Sequence, residues 1–338
     1  MPDPPAQPFR ARLRSGSPLV LDAALGTDLL ARGARLPAPL WSAQALLDAP
    51  DLVETIHREN AEAGADVLTI ASFRLHARNL DKSVCSLSQG ELLATAVALA
   101  RRAASEGSSK VNGDAALPET RAEGRRAARP SRGATRPSKK IFRGPWVAGS
   151  LAPLEDCYRP DRVPSEAEVS SEHHEMAHDL ARAGVDLILV ETMNTVREAA
   201  AASRAAAATG LPVVASCVTD GRGRLLSGEP VEDFARALLS LPSPPDALGI
   251  NCVAAEDLAG DLARLAAAAP GIPLAAYGNT FAKPVSPVDY AELVADWVRL
   301  GARLVGGCCG TTAAHTAAVA RGVRGNSPGS SSRAASDP

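Results

Sequence analysis

The chain has 338 residues, is 46% hydrophobic and carries a net charge of −2. A sizeable core can therefore be buried, and no global charge imbalance calls for nucleic acid or an anionic membrane as a partner. Aromatic residues make up only 3%, so the core has to be built mainly from Ala, Leu and Val. No apolar run reaches the roughly 18 residues of a membrane span. The opening "MPDPPAQPFRARLRSGSPLV" has no apolar signal core, which reads as a cytoplasmic protein. Six cysteines in that compartment are expected as thiols or metal ligands, not as a disulfide framework.

Residues 1–18 read as an N-terminal extension. Eight short apolar runs follow, starting at Leu19, Asp66, Trp146, Asp186, Pro212, Ala247, Pro273 and Ala302. Each is continuous and apolar, as strands buried on both faces are. Ala/Leu/Arg/Glu-rich stretches of helical composition separate them. In "AGADVLT", "AGVDLIL" and "LGARLVG" a glycine ends the helix just before the strand. Eight such units predict an α/β fold, a single-domain (β/α)8 TIM barrel over 19–323. One segment breaks the alternation. Residues 106–143 are polar and basic ("GRRAARPSRGATRPSKK") with no face to bury, and predict a disordered low-complexity insertion. It joins a helix to a strand, on the face away from the chemistry. Residues 324–338 predict a disordered tail.

Catalytic side chains of such barrels project from the C-terminal ends of the strands. Those ends carry Asp22, Glu191, Asn251 with Cys252, and the run "VGGCCGTT" with Cys308 and Cys309. Neighbouring strand residues point to opposite sides. The flanking glycines Gly306, Gly307 and Gly310 relax that rule and permit a turn in which both sulfurs face one point. Three readings stand. The cysteines pack in the core, as buried cysteine often does. They join Cys252 in a three-thiolate metal site, for which zinc is suited and whose open fourth position marks a catalytic site. Or "GGCCGTT" before a helix is a cradle for a phosphorylated ligand and its cysteines merely pack.

Together, "LDAALGTDLLARG", "AGADVLTIASFRLHARNL", "VAGSLAPLEDCYRPD", "DLILVETMNTVREA", "NC" and "GGCCGTT" resemble the homocysteine S-methyltransferase family, from about Leu19 to about Val323 with the insertion left out. The resemblance implies a (β/α)8 barrel and zinc held by Cys252, Cys308 and Cys309. It implies Asp22 and Glu191 near the amino-acid end of L-homocysteine. It also implies a methyl donor such as S-methylmethionine, S-adenosylmethionine or betaine. Nothing in the chain reads as an added cobalamin or folate domain, which favours a small soluble donor. There are departures. Ala23 stands where the family usually has glycine, the stretch after the seventh strand is shorter than usual, and the basic insertion is not part of the family core.

Zinc would remove the proton from homocysteine's thiol, which is mostly protonated at neutral pH. Trp41, Phe73 and Tyr277 are candidates for a face against a cationic donor, with core packing as the plainer role. Cys217 ends a strand without a supporting motif, and Cys85 and Cys157 lie in loop-like surroundings. His174, Glu175 and His178 match H-E-x-x-H, the pattern of a metal hydrolase. That helix has no apolar surroundings and no evident third ligand, so a solvated helix face is the simpler expectation. A barrel without zinc, whose basic insertion binds an acidic partner, is the alternative from a different class. The oligomeric state is not readable.

Overall fold

The computed structural model describes residues 6–15, 17–113, 144–281 and 283–325. Eight strands run parallel: β1 (Leu19–Val20), β2 (Val67–Thr69), β3 (Trp146–Leu151), β4 (Leu187–Met193), β5 (Val213–Cys217), β6 (Ala247–Ala254), β7 (Leu274–Asn279) and β8 (Ala302–Gly307). β1 pairs with β8, and a parallel bridge between Leu21 and Val67 joins it to β2, so the sheet closes on itself. The predicted TIM barrel is the fold. Alternation along the strands produces two layers of core. Leu19, Leu21, Leu187, Leu189, Ala275 and Leu304 fill the interior. Val20, Ile188, Val190, Leu248 and Val305 face the helices.

The N-terminal residues do more than extend the chain. Helix α1 (Ala6–Arg14) buries Phe9 and Leu13 completely among the interior residues. Phe9 stacks edge-on against Trp146, with ring centroids 5.5 Å apart, and Arg10 pairs with Asp246 at 2.9 Å. The helix thus plugs the N-terminal end of the barrel. A nine-residue polar-looking stretch with only two large apolar residues, Phe9 and Leu13, gives little sign of this in the sequence.

Among the described residues, eleven more α-helices follow in chain order. They are α2 (Leu25–Ala31), α3 (Ala45–Asp48), α4 (Pro50–Glu62), α5 (Ala77–Leu80), α6 (Gln89–Gly113), α7 (Glu166–Ala183), α8 (Val196–Ala208), α9 (Val231–Leu239), α10 (Leu258–Ala268), α11 (Pro287–Arg299) and α12 (Ala313–Gly325). α6 corrects one expected boundary: it continues through 106–113, where the sequence predicts the insertion already begun. Extending a formed helix costs far less than nucleating one, so weak helix formers are carried along. The Glu106 carboxylate lies 3.7 Å from Arg58 on α4. The rest of the predicted insertion, 114–143, and the tail from 326 lie outside the described residues.

One device recurs at the strand starts. Asp66, Asp186 and Asp246 each stand just before or at the start of a strand. Each accepts from the first part of the preceding strand: Val20 N–H at 2.9 Å, Val147 N–H at 2.7 Å and Val213 N–H at 3.0 Å. Each also pairs with an arginine: Arg324 at 3.5 Å, Arg101 at 2.6 Å and Arg10 at 2.9 Å. The carboxylates satisfy strand N–H groups that the ladder leaves over and tie them to the surrounding helices. Asp186→Ala would leave the buried Val147 N–H unpaired, so it is expected to destabilise the fold by about 1–3 kcal/mol. Because this lies on the face opposite the strand ends, metal content should not change. Denaturant unfolding combined with metal analysis checks both expectations.

Candidate metal and substrate site

The C-terminal ends of the strands open into a cavity of about 510 Å³. Asp22, Glu191, Cys252, Cys308 and Cys309 all line it, together with Trp41, Phe73 and Tyr277. The two acids and three cysteines proposed from the strand ends therefore line one cavity, as do the three aromatic candidates, while Asn251 does not.

Two irregularities aim the side chains. The β4–β5 register shifts between Val190 and Met193, and the β6–β7 register shifts between Asn251 and Ala254. Within these bulges Thr192 and Cys252 have left-handed backbones, with φ of 58° and 57°. Simple alternation from Leu248 and Ile250, which face the helices, would send Cys252 the same way. The bulge turns its thiol into the mouth instead. Such φ values cost of order 1–3 kcal/mol each unless the surroundings hold them. Here they hold each other. The Thr192 N–H donates to Asn251 Oδ1 at 2.8 Å, and Asn251 Nδ2 donates to Thr192 Oγ1 at 2.8 Å. Asn279 Nδ2 donates to the Cys252 carbonyl at 2.8 Å and fixes the cysteine from the other side.

The glycine run answers to close packing. A Cβ on Gly306 would come within 2.6 Å of the Leu21 backbone oxygen, so β8 could not lie against β1. Gly310 has φ of 85° and turns the chain back toward Thr280. Between them, Cys308 and Cys309 present both sulfurs to Cys252. The Sγ atoms of Cys252 and Cys309 are 3.9 Å apart, and all three sulfurs lie within 4.8 Å of one another. Two thiolates on a tetrahedral zinc, each about 2.3 Å from the metal, stand about 3.8 Å apart. The donor set therefore fits a zinc ion in chemistry and in spacing. Hydrogen bonds from Cys252 and Cys308 draw the Cys309 thiol well below the ordinary range. The same cluster, with burial, pushes Cys308 well above it. The Tyr158 hydroxyl lies 3.1 Å from Cys252 Sγ and covers the cluster from the solvent side.

The phosphate-cradle reading has few free N–H groups to draw on along the glycine run. Gly307 donates to the Asp22 carbonyl at 3.3 Å, Cys308 to the Gly278 carbonyl at 2.9 Å and Gly310 to Thr27 Oγ1 at 2.9 Å. Thr311 donates to the Cys308 carbonyl at 3.0 Å and Thr312 to His315 Nδ1 at 3.1 Å. Nor do the H-E-x-x-H residues gather a site. His174 is exposed on α7, its ring 4.3 Å from that of His178. Among the described residues, the group of three metal-capable side chains is Cys252, Cys308 and Cys309. Cys217 is buried in the core with its thiol against the Gly249 carbonyl at 3.8 Å. Ala23 has no left-handed backbone, so this position does not require glycine.

Both carboxyl groups are buried beside the sulfurs. Asp22 accepts from the Thr69 N–H at 2.8 Å and from Thr69 Oγ1 at 2.9 Å. Burial still pushes its pKa up to about 8, with nearby Glu191 adding to the rise. Glu191 accepts from the Ser150 hydroxyl, and burial pushes it up to about 7. The Tyr277 hydroxyl is buried beside Glu191 and Ser216, out of good hydrogen-bond geometry with either. These carboxyl groups lose their cost of burial when a cation joins them. Sequence patterns did not point to Tyr158, Thr69, Ser150 or the Asn251–Thr192 pair. Only "NC" as a motif hinted at the last.

A parallel barrel with two buried carboxyl groups and a three-thiol cluster that could hold a metal ion, all lining one cavity at the strand ends, has the layout of an enzyme's active site. Comparison with known proteins narrows this. The family model described as homocysteine S-methyltransferase matches residues 19–323. Homocysteine S-methyltransferase of Escherichia coli strain K12 is 31% identical over 332 residues, covering 92% of this chain and 97% of the relative. Homocysteine S-methyltransferase 4 of Zea mays is 30% identical over 328 residues, covering 92% and 90%. The crystal structure of the homocysteine methyltransferase MmuM from Escherichia coli in its metallated form superposes with a TM-score of 0.73 at 28% identity, covering 93% of this chain and 99% of that one. The chain belongs to the homocysteine S-methyltransferase family.

The raised Glu191 pKa has a consequence for stability. A carboxyl group that holds its proton more tightly when folded stabilises most below its ordinary pKa, near 4.5, and loses that contribution as pH rises through about 7. The full loss is on the order of 3 kcal/mol. In chelator-treated protein, Glu191→Gln is therefore expected to raise Tm at pH 8.5 and to leave it close to the wild-type value at pH 4. Thermal melts at the two pH values test this, and a variant less stable than wild type at pH 8.5 would contradict it.

Proposed function

We propose that this enzyme transfers a methyl group from a small activated donor to the thiol of L-homocysteine, with zinc held by Cys252, Cys308 and Cys309. The observation that carries the reading is the convergence of three sulfurs within 4.8 Å in the same cavity as two buried carboxyl groups. Zinc bound there supplies the acidity that keeps the substrate sulfur a thiolate at neutral pH. The chain's own residues do the rest. Asp22 and Glu191 take the substrate ammonium, and its positive charge favours their ionised forms. Thr69 and Ser150 hold the two carboxylates in place by the hydrogen bonds they donate. Trp41 and Phe73 offer aromatic faces to a cationic donor. The walls align the donor carbon with the sulfur and keep water from the reacting pair. A sulfonium or quaternary ammonium donor leaves as a neutral molecule, so no group is needed to protonate it. A cavity of about 510 Å³ suits two small molecules side by side.

The reduced protein should carry about one zinc per chain. Cys308→Ser should lower the zinc content and abolish homocysteine methylation. Full zinc in that variant, with loss of zinc in His174→Ala, would refute the thiolate site. Glu191→Gln should leave zinc in place and weaken homocysteine binding. A charge-assisted hydrogen bond is worth about 1.5–3 kcal/mol, on the order of tenfold to a hundredfold in affinity. Calorimetry on zinc-loaded protein reads it, and Asp22→Asn should act in the same direction. Unchanged affinity in both variants would return these carboxylates to structural roles.

A further inference from the structure

Arg74 stands out among the cavity residues. It lies on the loop after β2, half-buried, and lines the same cavity as the sulfurs. Its neighbour Arg78 is saturated by Glu155, Glu168 and Glu172, at 2.5, 3.5 and 2.6 Å. Among the described residues, no carboxylate pairs with Arg74, and its guanidinium donates no hydrogen bond. Its nitrogens are not among the buried polar atoms that lack a partner, so solvent meets them and a ligand carboxylate can take the place of that water. The nearby acids are engaged elsewhere: Glu155 with Arg78 and Lys82, and Asp156 with the Tyr158 N–H at 2.9 Å.

The loop presents Arg74 rigidly. The Ser72 hydroxyl donates to the Ser150 carbonyl at 2.9 Å and receives the Ser150 N–H at 2.9 Å. The Leu75 N–H donates to the Ser72 carbonyl at 3.0 Å, and Asn79 Nδ2 donates to the Arg74 carbonyl at 2.9 Å. Leu75 and His76 are buried on either side of the turn. Phe73, the next residue back, lines the cavity too. One short, pinned loop thus sets an aromatic ring and an unpaired cation side by side. That pair matches a molecule with a positive onium group at one end and a carboxylate at the other.

We propose that Arg74 binds the carboxylate of the methyl donor, so that the enzyme selects onium donors that carry a carboxylate. The inference rests on the methyl-transfer reading for the word donor, and on the cavity alone for the ligand class. The floor of the cavity carries the nearly fully buried carboxyl groups of Asp22 and Glu191, whose ionised forms a cation would favour. The acceptor's ammonium belongs there. Arg74, on the loop after β2, lines the same cavity and is more exposed than either carboxyl group. A planar guanidinium accepts a carboxylate in two parallel hydrogen bonds, which fixes orientation as well as affinity.

Direct binding tests this without turnover. Zinc-loaded wild type, Arg74→Gln and Arg74→Lys are titrated calorimetrically with S-methylmethionine, with trimethylsulfonium, which lacks a carboxylate, and with homocysteine. Arg74→Gln should weaken S-methylmethionine by about tenfold or more, as expected for a charge-assisted hydrogen bond. Arg74→Lys should restore part of that loss. Trimethylsulfonium and homocysteine should bind all three proteins alike. The proposal is overturned by unchanged S-methylmethionine affinity, by equal loss for both sulfonium compounds, or by a wild type that binds no S-methylmethionine. Loss confined to homocysteine would overturn it too, assigning Arg74 to the acceptor's carboxylate. A wild type with the expected binding pattern but no methyl transfer would support the Arg74 assignment and refute the methyl-transfer reading.

Discussion

The reciprocal hydrogen bond between Asn251 and Thr192 is the constraint on which the mouth of the barrel depends. A regular parallel barrel sends successive side chains alternately inward and toward the helices. Adjacent functional groups on one strand would then face opposite ways. The two bulges break the alternation at the required points, and each leaves a non-glycine residue in a left-handed backbone. One amide side chain, buried between the strands, ties Thr192 in the first bulge to Asn251 beside Cys252 in the second. It links the strand that carries Glu191 to the strand that carries Cys252. The strands that carry the carboxyl group and the thiol therefore share one contact, to which Ser150 on Glu191 and Asn279 on Cys252 add their own.

Charge is graded along the cavity. The deepest groups, Asp22 and Glu191, are acids that burial keeps partly protonated near neutrality. The sulfur cluster lies beside them, and Arg74, more exposed than either acid, lines the same cavity. An amphoteric ligand entering such a gradient is oriented by its own charges before any close contact forms. Low solvent access in the deep part strengthens each interaction relative to water. The same lack of solvent makes the empty arrangement costly, which is the usual relation between stability and a site built for binding.

Much of this could be read from the sequence, for physical reasons that also mark where reading stops. Eight apolar runs, each buried on both faces, point to the barrel, because an open doubly wound sheet, which also buries continuous strands, gives no particular reason for eight regular units. Asp22, Glu191, Cys252, Cys308 and Cys309 were legible because barrel chemistry lies at strand ends. The Asn251–Thr192 pair was not, since bulges and left-handed residues leave no periodic trace. Tyr158 comes from a loop whose path depends on tertiary contacts. Helix α1 escaped notice because Phe9 and Leu13 acquire meaning only when the barrel they plug exists. The H-E-x-x-H match shows the opposite failure. Its spacing is right, but the helix turns His174 to solvent. The end of α6 was misplaced because composition describes the average of a segment and not where a growing helix stops.

The closure of the sheet has a consequence for how the molecule is made. Leu19 pairs with Leu304, and Val20 with Val305, so the first strand finds its second neighbour only when the last strand has been added. The two cysteines that complete the sulfur cluster follow that last strand directly. A chain still emerging from the ribosome, or one cut short before β8, lacks the closing seam and two of the three thiols at once. The sulfur cluster is thus completed only at the final step of assembly, and it brings the end of β8 together with β6 across the intervening β7.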